Sequence, residues 1–182
     1  MGREIETGEV ERGETITVTQ RSPRRREYEL TAGDRALGGL RWRRGRRAVA
    51  EAEGPGIGDV ELAVRQGRVV VVGGDDGEVT LATVDHRRGA SVINASGRDA
   101  LRWEKGATRK HWTITERGDA LLSVSASQGL LRSSVRVVVE RSMPEATAVL
   151  LCLIASFLAL SELQSGVDGS AAVGGIVASG AG

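Results

Sequence analysis

At 182 residues with 40% hydrophobic content, the chain can bury one sizeable core, and a formal charge of +1 excludes a uniformly basic nucleic-acid binder. Aromatic residues make up only 3%, so that core must rest on Val, Leu, Ile and Ala. The single cysteine, Cys152, excludes an intramolecular disulfide and fits a reducing compartment.

The opening residues lack the basic and apolar regions of a secretory signal, and Glu6 stands where a myristoylation pattern needs Ser or Thr. A flexible N-terminus over residues 1–13 and a cytoplasmic location are expected. From Glu14 to Arg141 apolar residues recur mostly at every second position, the spacing that sends alternate side chains to opposite faces of a sheet. Strands are predicted in ETITVT, EYELT, LGGLRWR, RAVAEA, DVELAVRQ and RVVVVG, and then in EVTLATVDH, ASVINAS, DALRWEK, KHWTITE, ALLSVSAS and SSVRVVVE. GGDDGE (73–78) and ERGD (116–119) supply the Gly and Asp of tight turns between them. Some twelve short antiparallel strands imply a sandwich or a closed barrel.

Charge is unevenly placed. Between Arg21 and Arg47 there are ten arginines against three acids, Glu27, Glu29 and Asp34. Arg24, Arg25, Arg26, Arg43, Arg44, Arg46 and Arg47 are the candidate contacts to an anionic surface; the plain reading of the same cluster is a solvated face. Trp42, set between Arg41 and Arg43, alternates with them and is expected in the core with the arginines outside.

Signals for chemistry are weak. GPGIGD (54–59) is not followed by a helix, so it reads as a turn and not as a phosphate loop. Asp75, Asp76 and Glu78 fall short of a calcium loop, and His86 and His111 have no cysteine or clustered acid near them. No catalytic residue, metal or cofactor is expected.

The segment ATAVLLCLIASFLALSEL (146–163) is apolar all round. Pro144 and Glu145 suit a first helical turn and Gly166 a stop, which predicts a helix over about 144–165, followed by a disordered Gly/Ala-rich tail over 166–182. Such a helix must lie in protein or in lipid. Its uninterrupted apolar part, Ala146 to Leu160, spans about 22 Å at 1.5 Å per residue, short of the roughly 30 Å hydrocarbon layer. Glu162 follows, with no aromatic or basic anchor beyond it. An eight-stranded barrel fills itself with side chains, whereas about twelve strands leave a lumen that a central helix can fill. The expected fold is therefore mainly β: a closed antiparallel barrel of about twelve strands enclosing one hydrophobic C-terminal helix, over residues 14–165. The alternative is a cytoplasmic β domain anchored by a single span at 146–163, which the positive charges preceding that segment favour.

The stretches YELTAGDRALGGLRWR (28–43), KHWTITERGDALLSVSA (110–126) and MPEATAVLLCLIASFLALSE (143–162) resemble the superfamily of tubby C-terminal domains, phospholipid scramblases and LURP-one-related proteins. The resemblance covers about residues 15–165 and implies a twelve-stranded antiparallel barrel wrapped around a C-terminal helix, in a simple bacterial member. It implies phosphoinositide binding or lipid scrambling as activities of the family, but neither the tubby phosphate pocket nor the scramblase acidic segment can be placed on residues of this chain. The reading is a non-enzymatic binding or scaffold module, cytoplasmic or peripheral at the membrane, with an anionic lipid or another protein as partner and nucleic acid disfavoured.

Overall fold

The alternating pattern that begins at Thr15 folds as expected into a barrel. The computed structural model describes residues 8–22, 25–43, 49–73, 79–87, 90–95, 97–98, 100–108, 110–129 and 132–165. A short strand β1 (Glu9–Val10) precedes β2 (Thr15–Ser22), β3 (Arg25–Ala32), β4 (Arg35–Trp42), β5 (Val49–Gly54), β6 (Gly58–Arg65) and β7 (Arg68–Gly73). Then come β8 (Val79–Arg87), β9 (Ala90–Ala95), β10 (Leu101–Lys105), β11 (His111–Glu116), β12 (Asp119–Gln128), β13 (Ser133–Val139), β14 (Met143–Pro144) and helix α1 (Glu145–Ser165). Strands β2 to β13 pair antiparallel in chain order, and β13 returns to β2, so the sheet closes with no free edge.

Closure is specified by side-chain alternation. In β13, Val135, Val137 and Val139 are fully buried while Arg136 between them is exposed; β7 does the same with Val69 and Val71. A one-residue slip of either strand would turn these valines outward, which holds the register.

Helix α1 threads the lumen. From Ala148 to Leu160 every side chain except Leu150 is buried, in contact with inward residues of the wall. Phe157 stacks on Trp42 with ring centroids 5.6 Å apart and planes 5° apart, and Tyr28 meets Trp42 edge-on at 5.5 Å. By length and composition alone, Glu145–Leu163, with mean hydropathy 2.1, would pass for a membrane span. Here the wall takes the place of lipid. Ser156 is the exception to the apolar filling, its hydroxyl buried among described residues without a hydrogen-bond partner.

The N-terminal segment differs from expectation. Val10 is fully buried, and β1 pairs with β14 (Glu9 with Pro144, Val10 with Met143). Gly13 N–H donates to the Val139 carbonyl at 2.7 Å, Arg12 N–H to Ser142 Oγ at 3.0 Å, and Glu145 N–H to the Gly8 carbonyl at 2.8 Å. Residues 8–13 are thus tied across the mouth at which the helix enters. Two residues of strand carry no periodicity, which is why the pairing left no trace in the pattern. Pro144 belongs to this pair, and the helix starts one residue later. The tail over 166–182 lies outside the described residues.

In a barrel whose strands pair in order, successive turns alternate between two mouths. Helix α1 enters at the one bearing the β3/β4, β5/β6 and β11/β12 turns and ends at the one where β4, β6, β10 and β12 finish. The entry side is close-packed: a Cβ on Gly54 would meet Val149 Cγ1 at 2.5 Å, and one on Gly56 would meet Ala146 Cβ at 2.7 Å.

At the far mouth the helix is held by its one late carboxylate. Glu162 accepts from Trp112 Nε1 at 3.1 Å and Trp103 Nε1 at 3.4 Å, and pairs with Lys105 Nζ at 3.3 Å. The two indoles are stacked at 5.6 Å and both buried, so protein must satisfy their N–H groups. Replacing Glu162 by Ala should therefore lower stability by about 1–3 kcal/mol, the cost of leaving buried donors unpaired, and Glu162→Gln by less because its carbonyl still accepts. Chemical denaturation of the full-length variants measures both; equal losses for Ala and Gln would show that the ion pair to Lys105, not the indole contacts, holds the helix end.

Candidate functional site

The arginine cluster singled out in the sequence divides. Arg25 and Arg26 open β3, and Arg43 directly follows β4; all three are exposed. Arg24, Arg44, Arg46 and Arg47 lie outside the described residues. Trp42 points inward and is buried while Arg41 and Arg43 face solvent, as alternation requires.

The wall beside these arginines is laced with carboxylates. Arg43 Nε meets Glu51 Oε1 at 2.7 Å and its Nη2 meets Glu61 Oε2 at 3.1 Å. Arg41 reaches the other oxygen of Glu51 at 2.7 Å, Arg65 reaches Glu61 at 3.4 Å, and Arg21 pairs with Glu29 at 2.8 Å. Hydrogen bonds from Arg41 and then Arg43 hold the Glu51 carboxyl below its usual range, and the bond from Arg21 does the same for Glu29. Arg25 is only loosely matched, 3.9 Å from Glu27, and Arg26 makes no ion pair with a described residue.

These side chains border an open depression of about 980 Å³ on the outer wall, over β3 to β7, whose floor is low where Gly38, Gly39 and Gly73 carry no side chain. Its lining holds slightly more carboxylates than guanidinium groups, so the wall face is charge-balanced. An anion could compete there only by displacing an internal partner. At the rim the constraint is weaker: Arg25 has only the 3.9 Å contact to Glu27, and Arg26 makes no ion pair with a described residue.

Other candidate chemistry stays dispersed. Among the described residues no three His, Cys, Asp or Glu side chains come together as a metal site. Cys152 is enclosed on the helix, and burial pushes its thiol up to about 12, which keeps it protonated and unreactive. His111 sits exposed at the start of β11. GPGIGD forms the β5/β6 turn with Gly56 and Gly58 at positive φ, no helix follows it, and it closes over the helix entry. The cross-strand carboxylates were missed in the sequence because Glu51 and Glu61 are eight and eighteen residues from Arg43 and meet it only through the β4–β5–β6 register.

No family model, no curated protein and no solved structure matches this chain.

Proposed function

We propose that the protein is a non-enzymatic binding module that contacts anionic lipid headgroups through the arginine-rich edge of its barrel. The observation carrying this reading is that Arg25 and Arg26 stand exposed at the end of a closed barrel whose wall arginines are already matched by glutamates. Guanidinium groups of this kind recognise phosphate by paired N–H donors. A closed barrel of twelve antiparallel strands around one hydrophobic C-terminal helix is also the architecture of the tubby, scramblase and LURP-one-related superfamily, which supports a kinship with it.

The direct test is co-sedimentation of the full-length protein with phosphatidylcholine vesicles, with and without phosphatidylserine. Binding that requires the anionic lipid and weakens as salt rises is the expected result. Equal sedimentation with both vesicles, or none with either, rejects the lipid reading.

A further inference from the structure

Charge is sorted along the barrel axis. At the mouth where the helix ends, nearly every hairpin contributes an exposed cation: Arg25 and Arg26 at the start of β3, Arg43 after β4, Arg65 and Arg68 on either side of the β6/β7 turn. Around the far side of the same rim stand Lys105 at the end of β10 and Lys110 before β11, while Arg132, before β13, lies two strands from β3. Lys110 is five strands from β4 in a ring of twelve, nearly opposite the arginine cluster. Alternation aims three of these cations over the opening: Arg26, Lys105 and Lys110 lie two residues from Tyr28, Trp103 and Trp112, which all point inward. Lys105 is matched by Glu162 and Arg68 by Asp85 at 2.7 Å, whereas Arg26, Lys110 and Arg132 make no ion pair with a described residue. The opposite mouth is acidic on balance, with Glu9, Glu11, Glu14, Asp34, Glu116, Asp119, Glu140 and Glu145 around it against Arg12, Arg35, Arg98, Arg117 and Arg141.

We propose that the barrel stands end-on against an anionic phospholipid bilayer, its axis along the membrane normal and the helix-exit mouth facing the headgroups. This rests on the lipid reading above and adds the face, the orientation and the far-side residues. A cationic rim at one end and an acidic one at the other orient the molecule in the field of a negatively charged plane. A bilayer fits better than a nucleic acid. All five aromatic side chains are buried, so no stacking platform faces solvent, and the cations form a ring at a blunt end instead of a stripe along a groove. The one large exposed hydrophobic among the described residues, Val79, begins β8 at the acidic end, so the contact is made by charge without insertion.

The test uses the full-length protein and phosphatidylcholine vesicles containing phosphatidylserine. Lys110→Glu, on an exposed residue nearly opposite the arginine cluster, should weaken partitioning at least about tenfold, since losing a basic side chain near an anionic surface costs roughly fivefold and adding an acidic one there costs about as much again. The neutral Lys110→Gln should lose less, and Glu11→Lys with Asp34→Lys, at the acidic mouth, should change little. Circular dichroism and the thermal midpoint confirm that each variant is folded. Wild type that ignores phosphatidylserine sinks the lipid reading and this inference with it. Wild type that binds while the far-side reversal binds equally well overturns the end-on geometry alone. Displacement from the vesicles by a short oligonucleotide at lower concentration than by soluble phosphoserine would replace the membrane with a nucleic acid as partner.

Discussion

A chain ending at Met143, with residues 144–182 removed, should have no cooperative unfolding transition. Seven large side chains of α1 are enclosed by the barrel: Val149, Leu151, Leu153, Ile154, Phe157, Leu158 and Leu160. At roughly 2 kcal/mol each their burial contributes about 14 kcal/mol before ordering entropy is subtracted, as much as the whole net stability of a typical domain. Without the helix the inward faces of twelve strands would border a wet lumen. Collapse into a sheet that pairs wrongly, or aggregation, is the expected outcome. The measurement is denaturant unfolding followed by circular dichroism on purified truncated protein beside the full chain. A graded form of the same experiment is Phe157→Ala, which removes the ring stacked on Trp42 and should cost about 3–5 kcal/mol. A truncated chain that unfolds in one sharp transition would mean that the barrel is complete by itself, and that the helix is free to serve elsewhere, as a membrane span requires.

How much of this was legible beforehand depends on the kind of signal each element carries. Alternation is local, so the twelve barrel strands could be read one by one; Val135, Val137 and Val139 announce an inward face with no knowledge of their partners. The helix was legible because its composition departs from that period altogether. What remained hidden depends on register between distant strands. Glu51 and Glu61 neutralise Arg43, but whether they face it rests on where β5 and β6 pair. The polarity of the two mouths is hidden for a similar reason. Basic residues gather at alternate turns from Arg25 to Arg132, with single arginines (Arg35, Arg98, Arg117) at intervening ones, but the gathered ones belong to one rim only once strands are known to pair in chain order. The clasp on Glu162 brings together residues 50 and 59 positions apart. Its carboxylate could be read from the sequence only as a polar limit to the apolar segment.

The sharpest steric demand falls on Gly38, where strand alternation itself breaks. In β4 both Leu37 and Leu40 are buried, three positions apart, although a regular strand would bring in residues separated by two or four. The ladder accommodates them with a bulge: Leu30 pairs with Gly38 and Thr31 with Ala36, so Leu37 is the extra residue. Gly38 pays for the shift with φ = +135°, a conformation open essentially to glycine alone. A Cβ added there would also overlap the Glu53 carbonyl oxygen of β5, a backbone atom that cannot swing aside without breaking the β4–β5 ladder. Backbone strain of about 1–3 kcal/mol and a comparable overpacking cost act together, so Gly38→Ala should destabilise the barrel by roughly 2–6 kcal/mol. Gly33 provides the comparison: it too has positive φ, +57°, but nothing lies within 4 Å of an added Cβ, and Gly33→Ala should cost only about 1 kcal/mol. Paired denaturation curves for the two variants decide the matter. If both lose the same small amount, β4 can straighten, and then either Leu37 or Leu40 must leave the core; a large loss confined to Gly38 means that the bulge is built into the closed wall and sets the inward face of the strand leading to Trp42.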